Sequence, residues 1–259
     1  SSAASDVYKR QAGVDVIPVD IGIDTDEVIP GVLPRKVAKG TKNFAKEPAM
    51  TEEEVLKAIE TGIQLVQQCH REGYEILATG EMGIGNTTTS TAVAAALLDL
   101  EVEQVTGKGA GLTDEALKRK CRVIKEAIEK YSLRDADAFT ILKTVGGLDI
   151  AGLTGVFIGA AIEQIPVVID GVISAVAALL AETLCKGAVN YMIPSHKSRE
   201  LAETAIMKKL HLDPVLDADM ALGEGTGAVM MMSLLDVALG VYLQLSLIHI
   251  SEPTRLALI

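Results

Sequence analysis

Short apolar runs alternate along the chain with longer segments of helical period. Residues 74–78 (YEILA) run apolar into 79–89 (TGEMGIGNTTT), and a helical pattern leaves that stretch over 87–98, in the order strand, glycine turn, helix. Residues 14–20 (VDVIPVD) predict a strand ending near Asp20 and Asp24, 165–170 (IPVVID) a buried parallel strand, and 191–198 (YMIPSHKS) a short strand entering a polar turn. Thr51, with Glu54 three residues on, forms a capping box, after which Val55, Ile59, Ile63, Val66 and Cys69 share one helix face and Gly73 stops it. Thr113 caps a helix over 113–131, with Asp114 and Glu115 at its positive end. Gly152, Gly155 and Gly159 predict a helix pressed closely on a neighbour, and Ser198 is read as the cap of a helix through Leu210. Met230, Met231 and Met232 read as core positions of the last helix, and the lysine-rich passage 31–48 as a long loop.

Strands alternating with helices through short glycine turns predict an α/β fold with a mainly parallel, Rossmann-like sheet and helices on both faces. In such a fold ligands gather at the carboxyl ends of the strands. The two ends of the chain do not take part in this pattern. Residues 1–11 (SSAASDVYKRQ) and 245–255 (LSLIHISEPTR) read as in-frame translations of a matched pair of sequencing-adapter ends, and 256–259 run on. We therefore expect 1–11 and 245–259 to be non-native and 12–244 to be a single nucleotide-binding domain.

Composition changes this picture only by exclusion. A net charge of −11 offers no basic surface for nucleic acid. Cys69, Cys121 and Cys185 are widely spaced within helical patterns, so neither a disulfide framework nor a zinc site is expected, and a cytoplasmic location is. The longest apolar stretch, 171–181, is shorter than the roughly 20 residues that cross a bilayer, so no membrane association is expected.

Chemistry concentrates at the predicted strand ends and helix starts. Gly83 and Gly85 let the main chain approach an anion before a helix, and Glu81 stands beside them. A second glycine turn, GKGAGL over 107–112, precedes the helix carrying Lys120. A third, LGEGTG over 222–227, opens the last helix and leaves Glu224 unshielded between Gly223 and Gly225. Such a carboxylate can meet a ligand at close range and, in an apolar pocket, act as a base. Asp149, Asp170 and His196 complete the candidates. GEMGIGNTTT lacks the Gly-Lys-Ser/Thr ending of a Walker loop, GKGAGL lacks dinucleotide spacing, and no second histidine stands at metal-ligand spacing. We expect no metal and no cofactor; a mononucleotide is the simplest ligand.

GEMGIGNTTT, GKGAGL with Lys120, VGGLDIAGLTG, PVVIDGVISA, YMIPSHKS and LGEGTGA, in this order, resemble the nicotinate-nucleotide:dimethylbenzimidazole phosphoribosyltransferase family across 12–244. The resemblance implies an enzyme, dimeric in the family, that moves the phosphoribosyl group of nicotinate mononucleotide to 5,6-dimethylbenzimidazole for cobalamin assembly, giving α-ribazole phosphate and nicotinate. It implies Glu224 as catalytic base. It also implies substrate contacts at Glu81, Gly83, Gly85, Asn86, Thr87, Gly107, Gly109, Leu112, Lys120, Asp170, Gly171, Ser195, Gly223 and Gly225. At Ala221 the chain departs from members that carry arginine there. The family's N-terminal part, with its small helical domain, is expected to lie upstream of this chain. A transferase using another base or a phenolic acceptor, and a non-catalytic nucleotide sensor, are the rival readings.

Overall fold

The computed structural model describes residues 12–107, 112–220 and 223–251, with side chains described through Gln244. Every strand pairing among them is parallel. β1 (Val19–Asp20) pairs with β2 (Leu33–Pro34), and β3 (Leu77–Ala78), β4 (Val167–Ile169) and β5 (Met192–Pro194) form a second sheet in the order β3-β4-β5. Leu77 stands opposite Val167, and Val168 opposite Ile193. The parallel α/β expectation is met, with β1, β3, β4 and β5 shorter than the apolar runs that announced them and β2 lying inside the passage 31–48 expected to be a loop. Proline explains most of the shortening, since it brings no N–H to the ladder. Pro18 and Pro166 immediately precede β1 and β4, while Pro34 and Pro194 end β2 and β5.

The central strand β4 has a core on each side. Val167 and Ile169 enter the main core, and Val168 faces a smaller one with Ala228 and Met231 of the last helix. Among the described residues the α-helices are α1 (Glu52–Arg71), α2 (Asn86–Leu98), α3 (Val102–Val105), α4 (Asp114–Lys130), α5 (Ala138–Val145), α6 (Leu148–Glu163), α7 (Val172–Leu184), α8 (Leu201–Leu210) and α9 (Thr226–Ser251). The Thr51 capping box is present: its hydroxyl accepts from the Glu54 amide at 3.2 Å, and its own amide donates to Glu54 Oε2 at 2.7 Å. Thr113 caps α4. Val55, Val66 and Cys69 of α1 are buried, and α1 packs along α6 at glycine distance. A Cβ on Gly62 would fall 2.1 Å from the Gly152 carbonyl oxygen, and one on Gly155 would fall 2.0 Å from that of Ile59.

Three further expectations need correction. Met230, expected in the core with Met231, is exposed. The N-cap of α8 is Glu200; Ser198 sits two residues earlier, where its hydroxyl accepts from the Glu200 amide at 3.1 Å. The extra turn arises because Glu203 reaches back to the Ser198 amide at 3.3 Å. Residues 171–181 are also not the chain's longest apolar helical stretch. Thr226–Gln244, with a mean hydropathy of 1.7, is long and apolar enough to cross a membrane by length and composition. Scattered Gly, Ser, Asp and Gln interrupt its apolar runs, which hides its length from a reading by consecutive residues. Its first turns are buried against β3 and β4.

Candidate active site

Four loop segments meet at the carboxyl ends of β3, β4 and β5, where a parallel sheet opens between its helices. The turn after β3 carries Glu81, that after β4 carries Asp170, that after β5 carries Ser195 and His196, and the turn entering α9 carries Glu224.

Asp170 organises their meeting. Its buried carboxylate accepts from the amides of Gly225 (2.9 Å), Gly227 (2.9 Å) and Ala228 (3.2 Å), so the end of β4 caps α9. Burial pushes the Asp170 carboxyl up from the ordinary range, opposed by those amides and by His196. The backbone around Asp170 is tied as well. Thr79 Oγ1 accepts from the Asp170 amide at 3.3 Å, and Ser195 Oγ lies 3.3 Å from its carbonyl oxygen and 2.9 Å from His196 Nδ1. The imidazole packs so tightly on Gly227 that a Cβ there would lie 2.1 Å from Nδ1. Burial lowers the His196 pKa, against the pull of Asp170.

With Asp170 holding the α9 amides, residues 223–226 form a tight turn that carries Glu224. Thr226 donates its amide to the Gly223 carbonyl at 3.3 Å, and both residues between, Glu224 (φ +61°) and Gly225 (φ +80°), are left-handed. Glutamate adopts that region at a steric cost, and such strain clusters at ligand sites. The turn interlocks with that after β3: a Cβ on Gly80 would fall 2.9 Å from the Gly225 nitrogen, and one on Gly223 would fall 3.5 Å from Glu81 Oε1.

Glu81 is therefore brought to the same place as Glu224. Burial first, then the charges of Asp149, Asp170 and Glu224, push its carboxyl up to about 7, against a lowering hydrogen bond from Asn86. Asn86 Nδ2 donates both to Glu81 Oε2 and to Asp149 Oδ2, the latter at 2.9 Å. On either side of Gly83, Met82 and Ile84 are exposed, offering apolar surface beside an acid.

A second corner lies at the start of α2. Lys120 is buried, with Nζ 3.2 Å from Thr87 Oγ1 and 3.5 Å from the Gly107 carbonyl oxygen. Burial lowers its pKa, and the charge of Glu200 raises it. Glu200 lies against Gly107, where a Cβ would meet its Oε2. α2 and α7 begin at Gly85 and Gly171 without a side-chain cap or an acid in the first turn, unlike α1, α4 and α5, which Thr51, Thr113 and Asp137 cap. A Cβ on Gly85 or Gly171 would meet nothing within 4 Å, so the space before both helices is open. Leu112 is exposed; Gly109 and Ala221 lie outside the described residues.

Thus the structure brings Glu81, Gly83, Asn86, Asp170, Ser195, Gly223, Glu224 and Gly225 together at the ends of β3, β4 and β5, and Thr87, Gly107 and Lys120 together beside the start of α2. Sequence reading missed the Asn86 bridge, the Asp170 cap and buried Glu203, because each depends on residues distant in the chain or on burial in an ordinary helical pattern.

A phosphoribosyltransferase family model matches residues 1–249. Among curated relatives, the nicotinate-nucleotide–dimethylbenzimidazole phosphoribosyltransferase of Acetivibrio thermocellus is 47% identical over 239 residues, 92% of this chain and 68% of that protein. The protein of the same name from Clostridium perfringens is 49% identical over 88% of this chain and 63% of its own length. The chain therefore spans about two thirds of the relatives it matches. The crystal structure of CobT from Thermus thermophilus superposes with a TM-score of 0.87 at 37% identity, covering 91% of this chain and 71% of that one. With a family match across nearly its whole length, the chain belongs to the nicotinate-nucleotide–dimethylbenzimidazole phosphoribosyltransferase family.

Proposed function

We propose that the protein transfers the 5-phosphoribosyl group of nicotinate mononucleotide to 5,6-dimethylbenzimidazole, giving α-ribazole 5′-phosphate and nicotinate for cobalamin assembly, with Glu224 as the base. The observation that supports this most is the arrangement at the start of α9. Asp170 accepts from three amides at the start of α9, and this holds the left-handed turn that carries Glu224 beside Glu81.

The chemistry balances with the side chains present. One imidazole nitrogen of the acceptor attacks the ribose anomeric carbon as the bond to the pyridinium nitrogen breaks. The bonding pair goes to that nitrogen, so nicotinate leaves with a neutral ring. Glu224 takes the N–H proton from the acceptor's other nitrogen. The cationic leaving group is its own electron sink, and attack from the opposite face inverts β to α. We assign the phosphate to the uncapped starts of α2 and α7 with Lys120 and Thr87, where amides and a cation favour an anion. Gly107, Leu112 and Ser195 edge this nucleotide site, and Met82 and Ile84 favour an apolar aromatic acceptor. Three free cysteines suit a cytoplasmic setting, and the exposed apolar residues Val237, Val241 and Tyr242 of α9 suit a homodimer.

The test is nicotinate release from nicotinate mononucleotide, with and without dimethylbenzimidazole. Release that needs the acceptor and falls by about 10²–10⁴-fold in Glu224→Gln is expected, the range for loss of a general base. Tight nucleotide binding without release under any acceptor would replace the transferase with a sensor.

A further inference from the structure

Asn86 spends both hydrogens of its side-chain amide on carboxylates from two different loops. One goes to Glu81 Oε2 and the other to Asp149 Oδ2 at 2.9 Å, and two facing carboxylates fix which end of the carboxamide is nitrogen. Asp149 is itself held, its Oδ1 accepting from the Ile150 amide at 2.9 Å in the first turn of α6. Two glycines close over this pair. A Cβ on Gly83 would fall 2.5 Å from Asp149 Oδ2 and 2.7 Å from Asn86 Nδ2, and one on Gly147 would fall 2.5 Å from Asp149 Oδ1. Asn86 is buried, and the bridge joins the starts of α2 and α6 to the turn after β3. Capping of α2 does not explain the two Asn86 bonds, because the cap of α2 is Gly85 and Asn86 is its first helical residue.

We propose that Asn86 and Asp149 are positioning residues that fix the Glu81 carboxyl against the Glu224 turn and set, in opposition, its readiness to carry a proton during phosphoribosyl transfer. The inference rests on the transferase reading only for its last step. Among the described residues, the charged groups acting on Glu81 are Asp149 from α6, Asp170 from the end of β4 and Glu224 from the turn before α9; Asn86 acts from α2. The three acids favour the protonated form, and the Asn86 hydrogen bond favours the ionised one. A protonated Glu81 puts no second negative charge beside Glu224, whereas an ionised one does. The two bridge partners therefore pull the Glu81 midpoint in opposite directions.

The experiment is a carbon-13 NMR titration of side-chain carboxyls in the whole protein, with the Glu81 signal assigned by its loss in Glu81→Gln. The wild-type midpoint is expected at about 7. Asn86→Ala should raise it and Asp149→Asn lower it, each by roughly half a pH unit or more. A purely structural role would leave the midpoint in place or move it the same way in both variants, and either result overturns the proposal. Should Asn86→Ala fail to fold, the near-isosteric Asp149→Asn decides alone: a midpoint that stays or rises overturns the proposal. The titration does not depend on turnover, so absence of nicotinate release in the wild type overturns the transferase reading separately. Where release occurs, its pH profile should shift in the same directions as the NMR midpoints.

Discussion

Glu203 shows how much a single buried side chain governs here. It is 2% exposed, one oxygen accepts from the Ser198 amide, and the other has no hydrogen-bond partner among the described residues. Burial pushes its carboxyl up to about 8. An acid that titrates near 4.5 unfolded and near 8 folded holds its proton more tightly in the native state. Its stability contribution is therefore full below 4.5 and is lost as pH rises to 8, at up to about 1.4 kcal/mol per unit. Glu81 adds to the same slope up to about 7. Urea midpoints should fall from pH 5 to 8, and Glu203→Gln should flatten the decline and exceed the wild type at pH 8; equal slopes would contradict this. None of it is legible in LAETAIMKKL, where the glutamate looks like any polar position of an amphipathic helix. Glu224 is legible because its flanking glycines can be read directly. Asp170 is legible only as a strand-end acid, since the amides it caps lie 55 to 58 residues away.

Among the elements, the α1–α6 contact is set by glycine, as the spacing of Gly152, Gly155 and Gly159 predicts. The partner glycine, Gly62, lies in the other helix and gives no periodic signal of its own. Gly62→Ala and Gly155→Ala gain up to about 1 kcal/mol of helix propensity each. Both push a methyl group into backbone at 2.1 and 2.0 Å, which moves whole helices rather than a side chain. The overpacking should win, with a net loss of roughly 1–3 kcal/mol in chemical denaturation. Gly240→Ala in α9, with nothing within 4 Å, is the control and should be neutral or stabilising. Helix existence and capping were readable because boxes such as Thr51–Glu54 are local. Strand lengths were not, because pairing needs a partner that the local pattern does not contain.

At the scale of the molecule, parallel pairing puts the ends of β3, β4 and β5 on one side of their sheet, and the turns that follow them then meet the start of α9 without further instruction. A shallow cavity of about 190 Å³ elsewhere, lined by Asp20, Thr25 and Lys36 among others, does not compete as a reactive site. Its Asp20 carboxylate is already engaged by Lys36 at 3.2 Å and by the Ile23 amide at 2.8 Å. Order and class of the fold were therefore readable from the sequence, while the interlock of Gly80 with Gly225 belongs to the assembled chain alone. The proposed chemistry at the Glu224 turn is opposite-face attack on a phosphoribosyl group. The measurement that tests it most directly is proton NMR of the product formed from nicotinate mononucleotide and dimethylbenzimidazole. An α-linked ribosyl product, appearing one-to-one with nicotinate, is predicted. A β-linked product, or nicotinate released without any ribosylated base, would contradict opposite-face transfer.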